Sequence, residues 1–316
     1  MTILAGFPKP LTEEEAQWWP AISLVLLLAL PGEAQPACRT LALVGDVMLG
    51  RGVAADLNGD WAAAFVAVAE PLRRADLAFA NLESPLTTAP QIAAGYDLRA
   101  PPEAAMALDE AGFDAVSLAN NHAKDAGEPG LRETEAALAA AGVTGVREGV
   151  TYCEAGICVL ALDDSGEPVD IDVAADRVRA AVAEGNIVIV SIHWGGEYQA
   201  QPSPRQERLA QSLVIAGADL VVGHGPHVLQ RIEWIAGAPM AYSLGNFLFD
   251  QAYPADCRQG AILRVTVCSS RVCGIEVVPT VVEDGRVQLA GSEEAEAILQ
   301  RLHHKEHITK TGEFEP

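Results

Sequence analysis

Three histidines stand where apolar runs break into polar residues. Ile187-Val-Ile-Val-Ser-Ile-His193 continues into Trp194-Gly-Gly-Glu197-Tyr198, and Val221-Val-Gly-His224 into Gly225-Pro226-His227. A third run ends in Tyr242-Ser-Leu-Gly-Asn246-Phe247. Imidazole is the commonest metal ligand near neutral pH. Gly225 and Pro226 keep His224 and His227 off a common helix, so both rings can converge from one tight loop. A single histidine at a strand end is more often a hydrogen-bonded structural residue than a ligand. Repetition at other run ends changes that weighing. Asp46 follows Thr40 to Val44, Glu83 follows Leu77 to Ala80, and Asn121 with His122 follows Asp114 to Ala119. Taken alone, Asp46 can cap a turn, Glu83 can be a surface carboxylate, and Asn120-Asn121 can bond its own loop. Packing gives structural residues no reason to gather at the same end of every strand. Carboxylate, amide and imidazole together form a donor set for a divalent ion such as manganese, zinc or iron.

The elements that must position these groups follow from the same runs. Short, β-branched apolar runs read as buried strands, and in open α/β sheets the ligand crevice lies outside their carboxyl ends. Glycines at 45, 50 and 52 let the backbone turn sharply beside Asp46. Helices are expected over Ala62–Arg74, Pro101–Gly112, Gly127–Ala141, Asp172–Glu184, Pro204–Ala216 and Gly291–Leu302. Hairpins are expected about Cys153 and Cys158, about Gly237-Ala238, and within Ala261–Val282. Alternating strands and helices followed by hairpins argue for α/β with a mixed sheet, or two packed sheets. One domain over residues 39–290 is the preferred division, after an N-terminal extension over 1–38 and before a C-terminal helix and tail over 291–316.

The chain has 316 residues, half of them hydrophobic, which is ample for a large core. A formal charge of −22 repels duplex DNA and anionic membranes, so no nucleic acid partner is expected. The plain reading of that charge is a solvated acidic surface. Six cysteines are more informative. Cys153 with Cys158, and Cys268 with Cys273, each flank four residues between apolar runs and are expected to bridge short hairpins. Cys38 and Cys257 are left over as a possible third pair. The alternative is zinc, but the spacing is loose and no histidine accompanies either pair. Disulfides imply an oxidising compartment, periplasmic or secreted. Ala21 to Leu30 is a short apolar run ahead of Pro31-Gly32-Glu33-Ala34, which resembles a signal peptide with a cut after Ala34. The preceding region is acidic at Glu13-Glu14-Glu15, unlike a typical signal. The competing readings are an uncleaved anchor, through which the chain would associate with the membrane, and an exposed N-terminal helix.

Over residues 40 to 282 the chain resembles the CapA family of poly-γ-glutamate capsule synthesis, within the calcineurin-like metallophosphoesterase superfamily. The motifs that carry the resemblance are Gly45-Asp-Val-Met-Leu-Gly-Arg51, Asn81-Leu-Glu-Ser-Pro85, Asn120-Asn-His-Ala-Lys-Asp125, His193-Trp-Gly-Gly-Glu-Tyr198, Gly223-His-Gly-Pro-His227 and Tyr242-Ser-Leu-Gly-Asn-Phe247. The resemblance implies a four-layer α-β-β-α sandwich of two mixed sheets. It also implies metal ligation by Asp46, Glu83, Asn121, His193, His224 and His227, with His122 as general acid. Two departures stand out. Met48 occupies the histidine position of the first motif, and Asn81-Leu82-Glu83 replaces Gly-Asp-x-x-Asp. A thioether is a soft ligand poorly suited to a hard cation, so a mononuclear site, or one tight and one weak site, is expected.

Three functions compete. The first is a CapA-like protein of capsule, poly-γ-glutamate or envelope polymer synthesis, working as a metal-dependent hydrolase or transferase. The second is a phosphoesterase. The third is a non-catalytic scaffold of a membrane polymer-synthase complex. The substrate would be an anionic polymer or a small molecule. Arg51 and Lys124 flank the ligands and can hold an anionic group or be solvated charges. Asn246 can bind substrate, and Glu197 can serve as a base or further ligand.

Overall fold

The computed structural model describes residues 38–269, 271–302 and 313–314. The expected signal segment and cleavage site, and most of the tail beyond residue 302, lie outside the described residues. The first half contains β1 (Cys38–Val47), α1 (Arg51–Leu57), α2 (Ala69–Arg73), β2 (Leu77–Leu82), α3 (Ala105–Ala111), β3 (Ala115–Ser117), α4 (Gly127–Ala140) and β4 (Thr144–Val146). Next come β5 (Thr151–Glu154), β6 (Ile157–Asp163), α5 (Ile171–Ala183), β7 (Ile187–His193), α6 (Pro204–Ile215) and β8 (Leu220–His224). The hairpin-rich remainder holds β9 (Leu229–Ile235), β10 (Ala238–Leu244), β11 (Asn246–Leu248), β12 (Gln259–Cys268), β13 (Arg271–Glu283), β14 (Arg286–Leu289), α7 (Ser292–Leu302) and β15 (Glu313–Phe314).

The strands form two mixed sheets. One runs β14-β13-β12-β1-β2-β3-β4, with β11 beside β1 and β15 beside β13; the other runs β5-β6-β7-β8-β10-β9. Strands β1 to β4 are mutually parallel, as are β6, β7, β8 and β10. Parallel strands need both faces covered, and three apolar clusters cover them. Leu41, Leu43, Leu77 and Phe79 of the first sheet pack against Val159, Ile189, Val222 and Ala241 of the second. The far face of the first sheet meets α1 to α4 through Val53, Leu72, Leu108 and Leu138. The far face of the second meets α5 and α6 through Val178, Leu209 and Leu213. The result is the four-layer α-β-β-α sandwich. Ile298 and Leu302 of α7 add to the core between the sheets.

Two sequence expectations change. The helix expected over Ala62–Arg74 is a 3-10 turn at Trp61–Ala64 followed by the short α2. Pro71 is the reason: it lacks an N–H and is tolerated only in a first turn, so the helix begins at Ala69. The second change is the cysteine pairing. Cys153 bonds Cys158, as expected, but Cys268 bonds Cys38 and not Cys273. Register decides this: Cys38 and Cys268 are direct partners across β1 and β12, while β12 meets β13 through Val267–Val272 and Thr266–Gly274. Cys273 is the extra residue of that bulge and faces no cysteine. It is an exposed thiol, and Cys257 is a buried one.

Candidate metal centre

The carboxyl ends of both sheets meet at one point. At the end of β1, Asp46 pairs in register with Asn81 of β2 on one side and Asn246 of β11 on the other. Strand β12 flanks β1 only as far as Val44, and β11 takes over beyond it. In the opposite sheet His193 and His224 are register partners on β7 and β8. Adjacent strands lie about 4.8 Å apart, so the two imidazoles are neighbours by construction. His227 enters from the loop after β8. Gly225, at φ +102, makes that loop possible: its N–H donates to Asp46 Oδ2 at 3.2 Å, and a Cβ there would lie 2.9 Å from His193 Nε2. Behind the loop Trp194 is fully buried, donates to the Tyr242 carbonyl at 3.0 Å and stacks on that ring.

Asp46, Glu83, His193, His224 and His227 are all buried, between 0% and 5% exposed. Asp46 Oδ2 lies 3.2 Å from His227 Nδ1, and Asp46 Oδ1 lies 3.7 Å from His224 Nδ1. Glu83 Oε1 is 3.6 Å from His193 Nδ1, and Glu83 Oε2 is 3.8 Å from His227 Nε2. Asp46, Glu83 and His227 each turn one ligand atom into a cluster no more than 4.8 Å across. Glu83 Oε2 and His224 Nδ1 are buried with no hydrogen-bond partner among the described residues. A buried polar atom without a partner costs free energy. Here two such atoms face the same few ångströms as further oxygen and nitrogen donors, and a divalent cation satisfies them all. The donor set fits zinc, manganese or iron.

Electrostatics is consistent with that reading. Burial pushes His193 down to about 3 and His224 down to about 4, so both rings are neutral with free lone pairs near pH 7. Burial also opposes charge on His227, but Glu83's charge and Asp46's hydrogen bond outweigh it and push that ring up to about 10. Burial, together with Asp46's charge, drives Glu83 well above the usual carboxylate range. Burial alone would raise Asp46 too, but His227, His224 and His193 hold it well below. Protons and a cation therefore compete for the same lone pairs.

The other expected residues are placed unequally. Asn246 joins the cluster, its Oδ1 3.0 Å from His227 Nδ1. His122 is near enough for its charge to act on His193, with Nδ1 2.9 Å from buried Asp125 and Nε2 3.1 Å from Asn121 Nδ2. Asn121 itself is exposed, and the inward amide is its neighbour Asn120, which donates to Asn81 Oδ1 at 3.0 Å and to the Leu82 carbonyl at 2.9 Å. Arg51 pairs with Asp250 at 3.0 Å and lies over Tyr96. Lys124 pairs with Glu128 at 3.1 Å. Glu197 is exposed and acts on Glu83 through its charge. Asn120, Asn121 and Lys124 line a cavity of about 410 Å³ together with Arg147 and Asp163, the strand partner of His193.

Sequence reasoning passed over several partners. Asn81 Nδ2 lies 2.9, 3.1 and 3.3 Å from Asp46 Oδ1, Glu83 Oε1 and His193 Nδ1. An amide has two hydrogens for these three acceptors. Its signal was present: Asn81 and Glu83 are two residues apart on an extended segment and share a face. Asp125 and Ser191, which bonds His224 Nε2 at 3.0 Å, carry no comparable signal.

Known proteins resemble this chain over most of its length. Residues 40–151 and 159–251 match the family described as bacterial capsule synthesis protein PGA_cap. The capsule biosynthesis protein CapA of Bacillus anthracis is 32% identical over 282 residues, covering 78% of this chain and 68% of that protein. The PGA biosynthesis protein CapA of Bacillus subtilis is 32% identical over 267 residues, covering 75% and 70%. A Mycobacterium tuberculosis protein named "Probable polyglutamine synthesis accessory protein" is 27% identical over 340 residues, covering 83% and 89%. Strand-end motifs and overall identity thus lead to one assignment: this chain belongs to the PGA_cap family of bacterial capsule synthesis proteins, within the calcineurin-like metallophosphoesterase superfamily.

Proposed function

We propose that this protein serves capsule or poly-γ-glutamate synthesis as a metal-dependent hydrolase or transferase acting on γ-glutamyl amides. One observation carries the metal chemistry: Glu83 Oε2 and His224 Nδ1 are buried without partners among the donors of Asp46, His193 and His227. Those five residues would hold a manganese, zinc or iron ion. Such an ion polarises an acyl or phosphoryl oxygen and lowers the pKa of bound water. The chain's own groups supply the rest. Asp125 accepts a hydrogen bond from His122 Nδ1 and so orients the ring, which in its doubly protonated form would give its Nε2 proton to a leaving group. Lys124 and Arg147 line the adjoining cavity together with Glu148 and Asp163, so it offers both cations and carboxylates to a charged chain. The family and the relatives named for capsule or PGA synthesis support the choice of polymer.

A second reading has its own support. The mycobacterial relative is named an accessory protein, which fits a partner of a membrane polymer-synthase complex. The two disulfides, Cys38–Cys268 and Cys153–Cys158, support a periplasmic or secreted location. Among the described residues no helix is long and apolar enough to cross a membrane.

Metal analysis of protein purified without chelator tests the first reading, followed by a screen of γ-glutamyl amides and phosphoesters. Bound metal with turnover of the amides is expected. Faster turnover of phosphoesters replaces it with a phosphoesterase, and metal without turnover of either leaves the accessory role.

A further inference from the structure

Among the described residues, eight non-glycine residues have left-handed backbone. Ala155, Ala236, Ser269 and Asp284 turn hairpins, and Asn58 closes α1. Of the remaining three, His227 belongs to the metal centre, Tyr198 lies beside it, and Arg51 pairs with Asp250. A bulky residue such as Tyr198 at φ +62 is an outlier that persists only where its surroundings impose it. The Tyr198 N–H donates to the Pro226 carbonyl at 2.8 Å, and its ring lies 6.3 Å from that of His227.

The polarity of the hydrogen bonds around Tyr198 can be worked out from one fixed end. Asn246 Nδ2 lies 2.9 Å from the Cys257 carbonyl oxygen, which only accepts. That fixes the orientation of the amide. Asn246 Oδ1 therefore accepts from His227 Nδ1, and the second Nδ2 hydrogen goes to Gln251 Oε1 at 3.0 Å. Gln251 Nε2 is then the donor to the Tyr198 hydroxyl oxygen at 3.2 Å. Since that oxygen accepts from Gln251, its own hydrogen is left to be given outward. The neighbouring Glu197 carboxylate is the acceptor for that hydrogen. Glu197 is exposed, and a ligand oxygen can replace it as the acceptor.

We propose that Tyr198 is a ligand-binding residue of the metal centre, its hydroxyl held by the Cys257–Asn246–Gln251 relay as a donor to an anionic oxygen of the substrate. The proposal rests on the metal-dependent reading above, since the ligand sits at that centre. Carboxylate and phosphate offer the same acceptor chemistry, so both are used as probes.

The experiment is calorimetry in two stages. Manganese is titrated into metal-free protein, and then inorganic phosphate or N-acetylglutamate into the manganese-loaded protein. Y198F is expected to take up manganese as the wild type does and to lose about tenfold or more in affinity for at least one anion, the scale of a hydrogen bond to a charged group. The anion that loses more identifies the class of ligand. Q251E still accepts from Asn246 but cannot donate at neutral pH, so it turns the tyrosine proton inward. It should weaken anion binding in the wild type and cost much less in the Y198F background, where only its added charge acts. Equal anion affinities for wild type and Y198F overturn the proposal. So does equal cost of Q251E in both backgrounds, or a loaded wild type that binds neither anion. Failure of the wild type to take up manganese in the first titration sinks the metal reading, and the proposal with it.

Discussion

At the residue scale, the centre separates groups that hold a cation from groups that move protons. His224 is buried between Ser191 and Asp46, with Nδ1 unpartnered. His122 is part-exposed, oriented by Asp125 and outside the cluster of donors. H224A should therefore lose metal. H122A should retain it and lower turnover by roughly 10² to 10⁴, the scale of a lost general acid. Metal content by elemental analysis distinguishes them; loss of metal from both would make His122 a ligand. Asn81 bears on how many ions bind. Its amide nitrogen already fills the point shared by Asp46 Oδ1, Glu83 Oε1 and His193 Nδ1. Much of this was legible, because strand-end carboxylates and imidazoles announce themselves in sequence. The choice between Asn120 and Asn121 was not: adjacent residues in a bend point in different directions, and only the fold says which one turns inward.

At the element scale, the centre depends on how closely strand ends approach. A Cβ on Gly45 would lie 1.9 Å from the Gly245 carbonyl oxygen, the atom that accepts from the Asp46 N–H at 3.0 Å. Gly45→Ala must push apart the ends of β1 and the β10–β11 link, where Asp46 and Asn246 are carried. A loss of roughly 3 kcal/mol in denaturant unfolding is expected, together with weakened metal uptake. Gly166 has nothing within 4 Å of a Cβ and serves as control. Its alanine variant should change stability by no more than about 0.5 kcal/mol. Equal stability of the two variants would rule out this close approach. The long, periodic helices and the buried strands were readable from the chain. Strands β4 and β11, of three residues each, and β14, of four, were not, since so short a run owes its conformation to the neighbour it pairs with.

At the scale of the whole molecule, sequence proximity misleads about the covalent frame. Cys268 and Cys273 look like a hairpin pair, yet the bulge between β12 and β13 offsets them, and the antiparallel pairing of β1 with β12 delivers Cys38 from 230 residues away. The two bridges therefore differ in what they close. In the chain-entropy account the cost of opening a loop grows with the logarithm of its length, giving about 5 kcal/mol for Cys38–Cys268 and about 2 kcal/mol for Cys153–Cys158. The double variant C38S/C268S should thus be the less stable of the two in denaturant unfolding, and C153S/C158S the milder. Double variants are needed because C38S alone would leave Cys268 free beside Cys273, whose sulfur lies 3.6 Å from the Cys268 carbonyl oxygen. Mass mapping without reductant should find these two bridges, with Cys257 and Cys273 as thiols. A Cys268–Cys273 bridge in the wild-type protein would contradict the β1–β12 register at this end of the sheet. A larger loss from C153S/C158S would instead show that the unfolded chain is already compact enough for the long loop to cost little.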